Sequence, residues 1–262
     1  MAKNPVVIVT GASRGIGAWV ARCLGMAGAA VTLLARTQEG LSAAASDVEA
    51  KGGRVLTILG DIRDPQTHGT VIEKTLAAFG QINAIVNNAA VAGPLSPVSS
   101  VASEQWVSSV QTNLLGPFYM AKAAIPELRK TEGRIVNVSS GAATLPVPWA
   151  SAYCASKAAL NHFTAVLAQE EPLITVVAVR PGMVDTDMQA LLRNTGPGGM
   201  PPEQAAFYRN AKNEGRLEPP LVPARSIAWL SLHAPRQWSG EFLDYDNPRI
   251  ALPALELFGE SV

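Results

Sequence analysis

Short, nearly continuous apolar runs alternate along the chain with longer stretches of helical period. The runs at 5–10 (PVVIVT), 30–35 (AVTLLA), 54–59 (RVLTIL), 82–87 (INAIVN), 134–138 (RIVNV) and 174–180 (ITVVAVR) are rich in β-branched residues. Unbroken hydrophobicity of this kind, rather than alternation, marks strands buried on both faces. Between them helices are expected at about 14–27, 38–51, 65–79, 103–130 and 151–169, and a further one at about 223–232 before a last strand near 241–245. Such alternation predicts an α/β fold, a doubly wound parallel sheet in a three-layer α/β/α arrangement. No linker or fixed-period repeat divides the sequence, so 1–262 reads as a single domain. The widest interval without a strand, 184–239, follows the sixth strand. Open α/β sheets bind ligands beyond the carboxyl ends of their strands, so a substrate lid is expected at about 186–222.

Composition narrows the range of partners. The 262 residues carry 21 Lys+Arg against 21 Asp+Glu, a net charge of zero with no basic block. Nothing there would neutralise a phosphate backbone, so nucleic acid is not an expected partner. Charged residues make up 16%, below the ~25% usual for soluble domains, while 48% are hydrophobic. A large buried core is expected, not disorder. Cys23 and Cys154 stand far apart in expected helices, with neither disulfide nor zinc spacing. The apolar run at 6–9 is too short for a signal-peptide core, and nothing approaches the ~18 residues of a membrane span. The terminal Glu-Ser-Val is not a peroxisomal address. A reduced, cytoplasmic protein without membrane contact is the expectation. The Gly/Pro run at 196–202 reads as a loop of the lid.

The first strand leads into Thr10-Gly11-Ala12-Ser13-Arg14-Gly15-Ile16-Gly17 and then a helix. Glycines allow a sharp turn and close approach to a pyrophosphate, and the free N–H groups of a helix start favour the anion. In this context the loop predicts dinucleotide binding on a Rossmann fold. Arg36 stands nineteen residues beyond Gly17, at the end of the second strand. An acidic residue here would accept from a ribose 2′-OH, whereas Arg suits a 2′-phosphate, and Arg14 adds a second charge. NADPH (NADP+ when oxidised) is therefore the expected cofactor. Asp61 is placed either to accept from the adenine amino group or to cap the next helix. Later, Ser140 follows the fifth strand, and Tyr153 and Lys157 share one helix face at i and i+4. A phenol is a poor acid at neutral pH, and a neighbouring ammonium favours its phenolate.

Together these motifs resemble the short-chain dehydrogenase/reductase family in its single-domain branch. The resemblance runs to about Thr186: Thr10–Gly17 is similar to Thr-Gly-x-x-x-Gly-x-Gly, Asn87-Asn88-Ala89-Ala90 to Asn-Asn-Ala-Gly, Asn113 matches the helix asparagine, and Ser140 lies thirteen residues before Tyr153. Ala90 departs from the family glycine and adds a methyl group where the chain passes the cofactor. The resemblance implies that Gly11, Ser13, Arg14, Gly15, Ile16, Gly17, Arg36, Asp61, Ile62, Asn88, Pro181, Gly182, Val184 and Thr186, with Tyr153 and Lys157, bind the cofactor. It further implies Tyr153 as general acid, Lys157 lowering its pKa, Ser140 holding the substrate oxygen, and Asn113 holding a proton-relay water.

His68, His162 and His233 lack ligand spacing, so no metal is expected. Cys154 reads as packing. The uncharged segment 141–149 predicts a small-molecule apolar carbonyl substrate, with Trp149 either stacking on it or packing internally. Met188, Leu191, Leu192, Phe207 and Tyr208 are candidates to close over it, while Arg193, Arg209 and Lys212 read as solvated. The tail at 239–246 resembles the sepiapterin reductase and benzil reductase subgroup, which implies ketones or vicinal diketones. A homodimer or homotetramer, paired through the helices at 103–130 and 151–169, is implied likewise. The alternatives are an NAD(P)-dependent alcohol dehydrogenase working oxidatively and a non-catalytic NADP-binding sensor.

Overall fold

The computed structural model describes residues 4–194 and 199–260. Strands β1 (Val6–Thr10), β2 (Ala30–Ala35), β3 (Arg54–Leu59), β4 (Ala84–Asn87), β5 (Arg134–Val138), β6 (Thr175–Arg180) and β7 (Phe242–Asp244) form one parallel sheet in the order β3-β2-β1-β4-β5-β6-β7. The order reverses between β1 and β4, and that reversal opens a crevice at the carboxyl ends of the strands.

Successive strand residues point to opposite faces, so each strand feeds two cores. Val7, Val9, Val31, Leu33, Val136 and Val177 share one core with helices α1 (Gly15–Met26) and α2 (Gln38–Ala50) and the helix at Leu221–His233. The intervening Ile8, Leu34, Ile85, Ile135 and Val176 pack under α3 (Pro65–Phe79), and under α5 (Gly116–Thr131) and α6 (Ser151–Glu170) on the same side. Side chains such as Ile8 and Ile135 are fully buried, each stabilising by about 1.5–3 kcal/mol. A buried polar ladder crosses this second face: Asn87 donates to Asn137 at 2.9 Å, and Asn137 donates to Thr164 at 2.9 Å. It fixes the lateral position of α6 against β4 and β5.

The helix expected over 103–130 is interrupted. It consists of α4 (Ser103–Val110), a π-helical turn at Gln111–Leu115 and α5 (Gly116–Thr131), with α6 at Ser151–Glu170. Pro117 has no N–H to give the carbonyl of Asn113, so the α-helical ladder cannot pass that point, and a wider turn absorbs the break.

Further helices were not anticipated: α7 (Asp187–Arg193) and α8 (Pro202–Asn213) in the expected lid, and α10 (Pro248–Phe258) after β7, with α9 at Leu221–His233 near its expected place. The start of α10 was legible, since the Asn247 side chain caps Arg249 N at 3.0 Å and Pro248 sits in the first turn. Pro253, inside the helix, obscured its continuation. Gly196, Pro197 and Gly198 of the Gly/Pro run lie outside the described residues.

Candidate active site

A cleft of about 1180 Å³ runs along the carboxyl ends of the strands, between the β1–α1 loop and the α7–α8 segment. All the expected cofactor-binding residues except Gly17 line it. Gly11 adopts φ +64°, a left-handed conformation that only glycine takes freely, and a Cβ there would lie 2.8 Å from Ala89 Cα. Gly17 sits behind the loop, where a Cβ would strike Gly11 O and the Asn88 amide. Asn88 is the clamp: its Nδ2 donates to Thr10 O at 3.0 Å and Gly11 O at 3.1 Å, while Thr10 Oγ1 accepts from Asn88 N and Ala89 N, both at 3.1 Å. These bonds leave the amides at the start of α1 turned toward the cleft, the arrangement an anion requires. Ala90 lines the cleft without positive φ, so its extra methyl carries no backbone strain.

At the far end of the cleft Arg36 is exposed and forms no ion pair among the described residues. Arg14 instead reaches across to Asp187, the first residue of α7, at 3.1 Å, with both side chains largely exposed. Asp61 is held by Arg63, whose Nε lies 3.0 Å and Nη2 2.6 Å from Oδ2. This pairing, with a smaller contribution from the charge of Arg36, holds the Asp61 carboxyl below its usual range. The helix cap weighed for Asp61 belongs to Asp64, which accepts from Gln66 N at 2.9 Å.

Near the middle of the sheet, Ser140, Tyr153 and Lys157 converge on the same wall. Ser140 begins a short 3-10 turn, Gly141–Ala143, and its Oγ accepts from Ala142 N at 3.1 Å. Burial pushes the Tyr153 phenol up from its ordinary pKa, with Ser140 pulling the other way and the charges of Tyr208 and Cys154 adding to the rise. Lys157 is 2% exposed, and burial brings its ammonium down to about 8. Its Nζ donates to Val138 O at 2.7 Å and lies 5.8 Å from the Tyr153 ring centre.

Asn113 does not line the cleft. Its amide is fully buried, accepts from Val91 N at 2.9 Å, and donates to Val91 O at 2.9 Å and Ser156 Oγ at 3.2 Å. Ser156 in turn donates to Tyr153 O at 2.8 Å. The amide therefore ties the β4 loop, the π turn and α6 together.

The segment after β6 forms the remaining wall. Tyr245, just past β7, packs its ring on Gly182 and hydrogen-bonds Glu218. Glu218 also pairs with the Met183–Asp185 backbone through bonds of 2.8 and 2.9 Å. Met188, Leu191, Leu192, Phe207 and Tyr208 all line the cleft. Arg193 and Lys212, expected to be solvated, are instead drawn to Asp185, Arg193 at 3.5 Å and Lys212 in direct contact. Trp149 is not on the cleft wall. It adopts φ +68°, and its carbonyl accepts from Ser96 N at 2.8 Å, so it serves the loop rather than the cavity. Tyr245 and Arg180 were missed because no local motif marks them; each reaches the cleft only through the pairing of β6 with β7.

A parallel sheet with a glycine-lined crevice at its reversal point, and a Ser, Tyr and Lys converging beside it, defines a nucleotide-dependent oxidoreductase class. Residues 5–196 match the family described as short chain dehydrogenase, and the chain belongs to it. It is an oxidoreductase acting on alcohol or carbonyl groups with a nicotinamide cofactor.

An uncharacterized oxidoreductase of Saccharomyces cerevisiae, YIR035C, is 35% identical over 250 residues, covering 94% of this chain and 97% of that protein. Its crystal structure matches with a TM-score of 0.89, covering 95% of this chain and 98% of that one. The benzil reductase ((S)-benzoin forming) of the same yeast is 34% identical over 263 residues, covering 94% and 97%. The crystal structure of the KRED1-Pglu enzyme matches with a TM-score of 0.86 at 37% identity, covering 91% and 100%.

Proposed function

We propose that the protein is an NADPH-dependent carbonyl reductase of apolar ketones or vicinal diketones, with Tyr153 as the general acid. The observation that carries this reading is the convergence of Tyr153, Ser140 and Lys157 in one cleft, with Ser140 bonded to the phenol. The phenol gives its proton in carbonyl reduction and takes one in the reverse, alcohol-oxidising direction. A sensor that only bound cofactor would have no need of Ser140, Tyr153, Lys157 and Asn113 together.

When bound, the reduced nicotinamide supplies the hydride. Ser140 Oγ donates to the substrate oxygen and steadies the charge that develops there. Tyr153 gives its proton to that oxygen. Lys157, whose Nζ donates to Val138 O, would hold the nicotinamide ribose, and its ammonium charge would ease loss of the phenol proton. Asn113 positions the site through Val91 and Ser156 and would hold the proton-relay water.

Arg36, near Asp61 and without an ion pair among the described residues, supports a 2′-phosphate and hence NADPH. The α7–α8 segment acts as the lid, with Met188, Leu192 and Phe207 making its inner surface apolar. The free thiols of Cys23 and Cys154 support a reducing, cytoplasmic location.

The test is loss of NADPH absorbance with a panel of ketones, for the wild type and Tyr153→Phe. Tyr153→Phe is expected to lower kcat at least ~10²–10⁴-fold while NADPH binding, followed by fluorescence, stays nearly intact. A folded wild type that binds NADPH tightly and consumes none with any ketone would overturn the reading.

A further inference from the structure

A charged pair at the edge of the cleft is not used by the proposed hydride transfer. Arg180, the last residue of β6, lines the cavity and bonds through Nε to Asp244 at the end of β7. Alternation along β6 puts Arg180 on the same side of the sheet as Val176, the side covered by α6 and therefore by Tyr153. Its Cδ lies 3.4 Å, and its Nη1 3.8 Å, from where a Cβ on Gly141 would stand. The guanidinium is thus laid along the residue that follows Ser140. Only Nε is engaged: neither Nη group makes a hydrogen bond among the described residues.

We infer that Arg180 is a specificity-determining residue whose Nη groups donate to a second carbonyl oxygen, on the carbon next to the one being reduced. The preferred substrate is then a neutral vicinal dicarbonyl. This rests on the proposed carbonyl reduction and goes further by naming the group that selects among ketones.

Three features carry the inference. First, the position fits: the Arg180 guanidinium lies against Gly141, the residue next to Ser140, in the cleft that Tyr153 also lines. Second, the cleft also carries apolar Leu145, Val147 and Leu192, and the Arg180 side chain is 39% exposed, so a substrate that covers the fork without bonding it strips away its water. Third, charge separates a neutral oxygen from a carboxylate. Asp244 already neutralises Arg180, and Asp246 lies on the same wall, so a 2-oxo acid would bring a further negative charge to a balanced or negative set. Asp244 also holds the fork in one orientation, which reduces the rotamer freedom lost on binding.

The experiment compares kcat/KM with NADPH for benzil, for deoxybenzoin, which keeps both rings but has one carbonyl, and for phenylglyoxylate. Wild type is expected to rank benzil first. In Arg180→Met the benzil-to-deoxybenzoin ratio is expected to fall about 10–100-fold, with Arg180→Lys intermediate because a point charge lacks the fork. Asp244→Asn, which preserves shape between β6 and β7, is expected to lower the same ratio and serves if the Met variant does not fold.

A ratio unchanged in the Met and Asn variants overturns the inference, as does an equal loss on both ketones with a lowered Tm, which would make the pair a tie between strands. Wild-type preference for phenylglyoxylate overturns the neutral-dicarbonyl class. Turnover of deoxybenzoin with an unchanged ratio refutes Arg180 alone, whereas no turnover of any ketone by the wild type refutes the carbonyl-reductase reading itself.

Discussion

Burial acts on Tyr153 and Lys157 in opposite directions and to one effect. It raises the phenol and lowers the ammonium to about 8, so that both groups are drawn toward their neutral forms. The Tyr153 phenol is bonded to the Ser140 hydroxyl, which pulls its pKa the other way. At the other end of the cleft the decisive side chain is exposed. Arg36 has no carboxylate partner among the described residues, while its neighbour Asp61 is occupied by Arg63. Arg36→Asp removes a charged fork and adds repulsion, so NADPH affinity is expected to fall at least about 10–100-fold relative to NADH. Parallel fluorescence titrations with the two cofactors measure this, and an unchanged preference would refute the 2′-phosphate assignment. Arg36, Tyr153 and Lys157 were recognisable in the amino-acid order because each lies at a set distance from a strand end. Arg180 was not, because its partner Asp244 is sixty-four positions away.

Helix α1 owes its function to how tightly it is seated. The Asn88 amide holds Thr10 O and Gly11 O, and Gly17 leaves room for that amide. Gly17→Ala drives a methyl group into backbone and amide at once. We expect about 1–3 kcal/mol of destabilisation from the overpacking, a Tm lower by several degrees, and a clear loss of the thermal stabilisation that NADPH gives the wild type. Thermal unfolding with and without the cofactor tests this; a variant with wild-type Tm and wild-type response would show that the seating does not matter. The interruption between α4 and α5 has the same local character. Gly116-Pro117 is visible in the sequence, but the 103–130 region read as one helix because its apolar period persists through the break. Pro117 breaks the ladder there, and the wider turn sets the Asn113 amide on Val91 and Ser156.

The molecule presents apolar surface where the helices of one face look outward. Val107 on α4, Phe118 on α5 and Val166 on α6 are each more than a third exposed, and Phe118 packs edge-on to Phe163 at 6.0 Å. This surface supports the proposed pairing of subunits across α5 and α6. Light scattering after size exclusion is expected to give a dimer or tetramer, and Phe118→Glu a smaller species, since a carboxylate would be buried unpaired. A wild-type monomer at micromolar concentration would remove the proposal.

Amino-acid order was sufficient for the sheet, the glycine loop and the Ser140, Tyr153 and Lys157 set, because strand burial, tight turns and helix faces are local properties of spacing. It was not sufficient for the lid contacts of Asp185 with Lys212 and Arg193, the occupation of Asp61 by Arg63, or the packing of Tyr245 on Gly182. Those depend on which charges and rings meet once distant segments pair beside the cleft, and charge pairing between remote segments leaves no period along the chain.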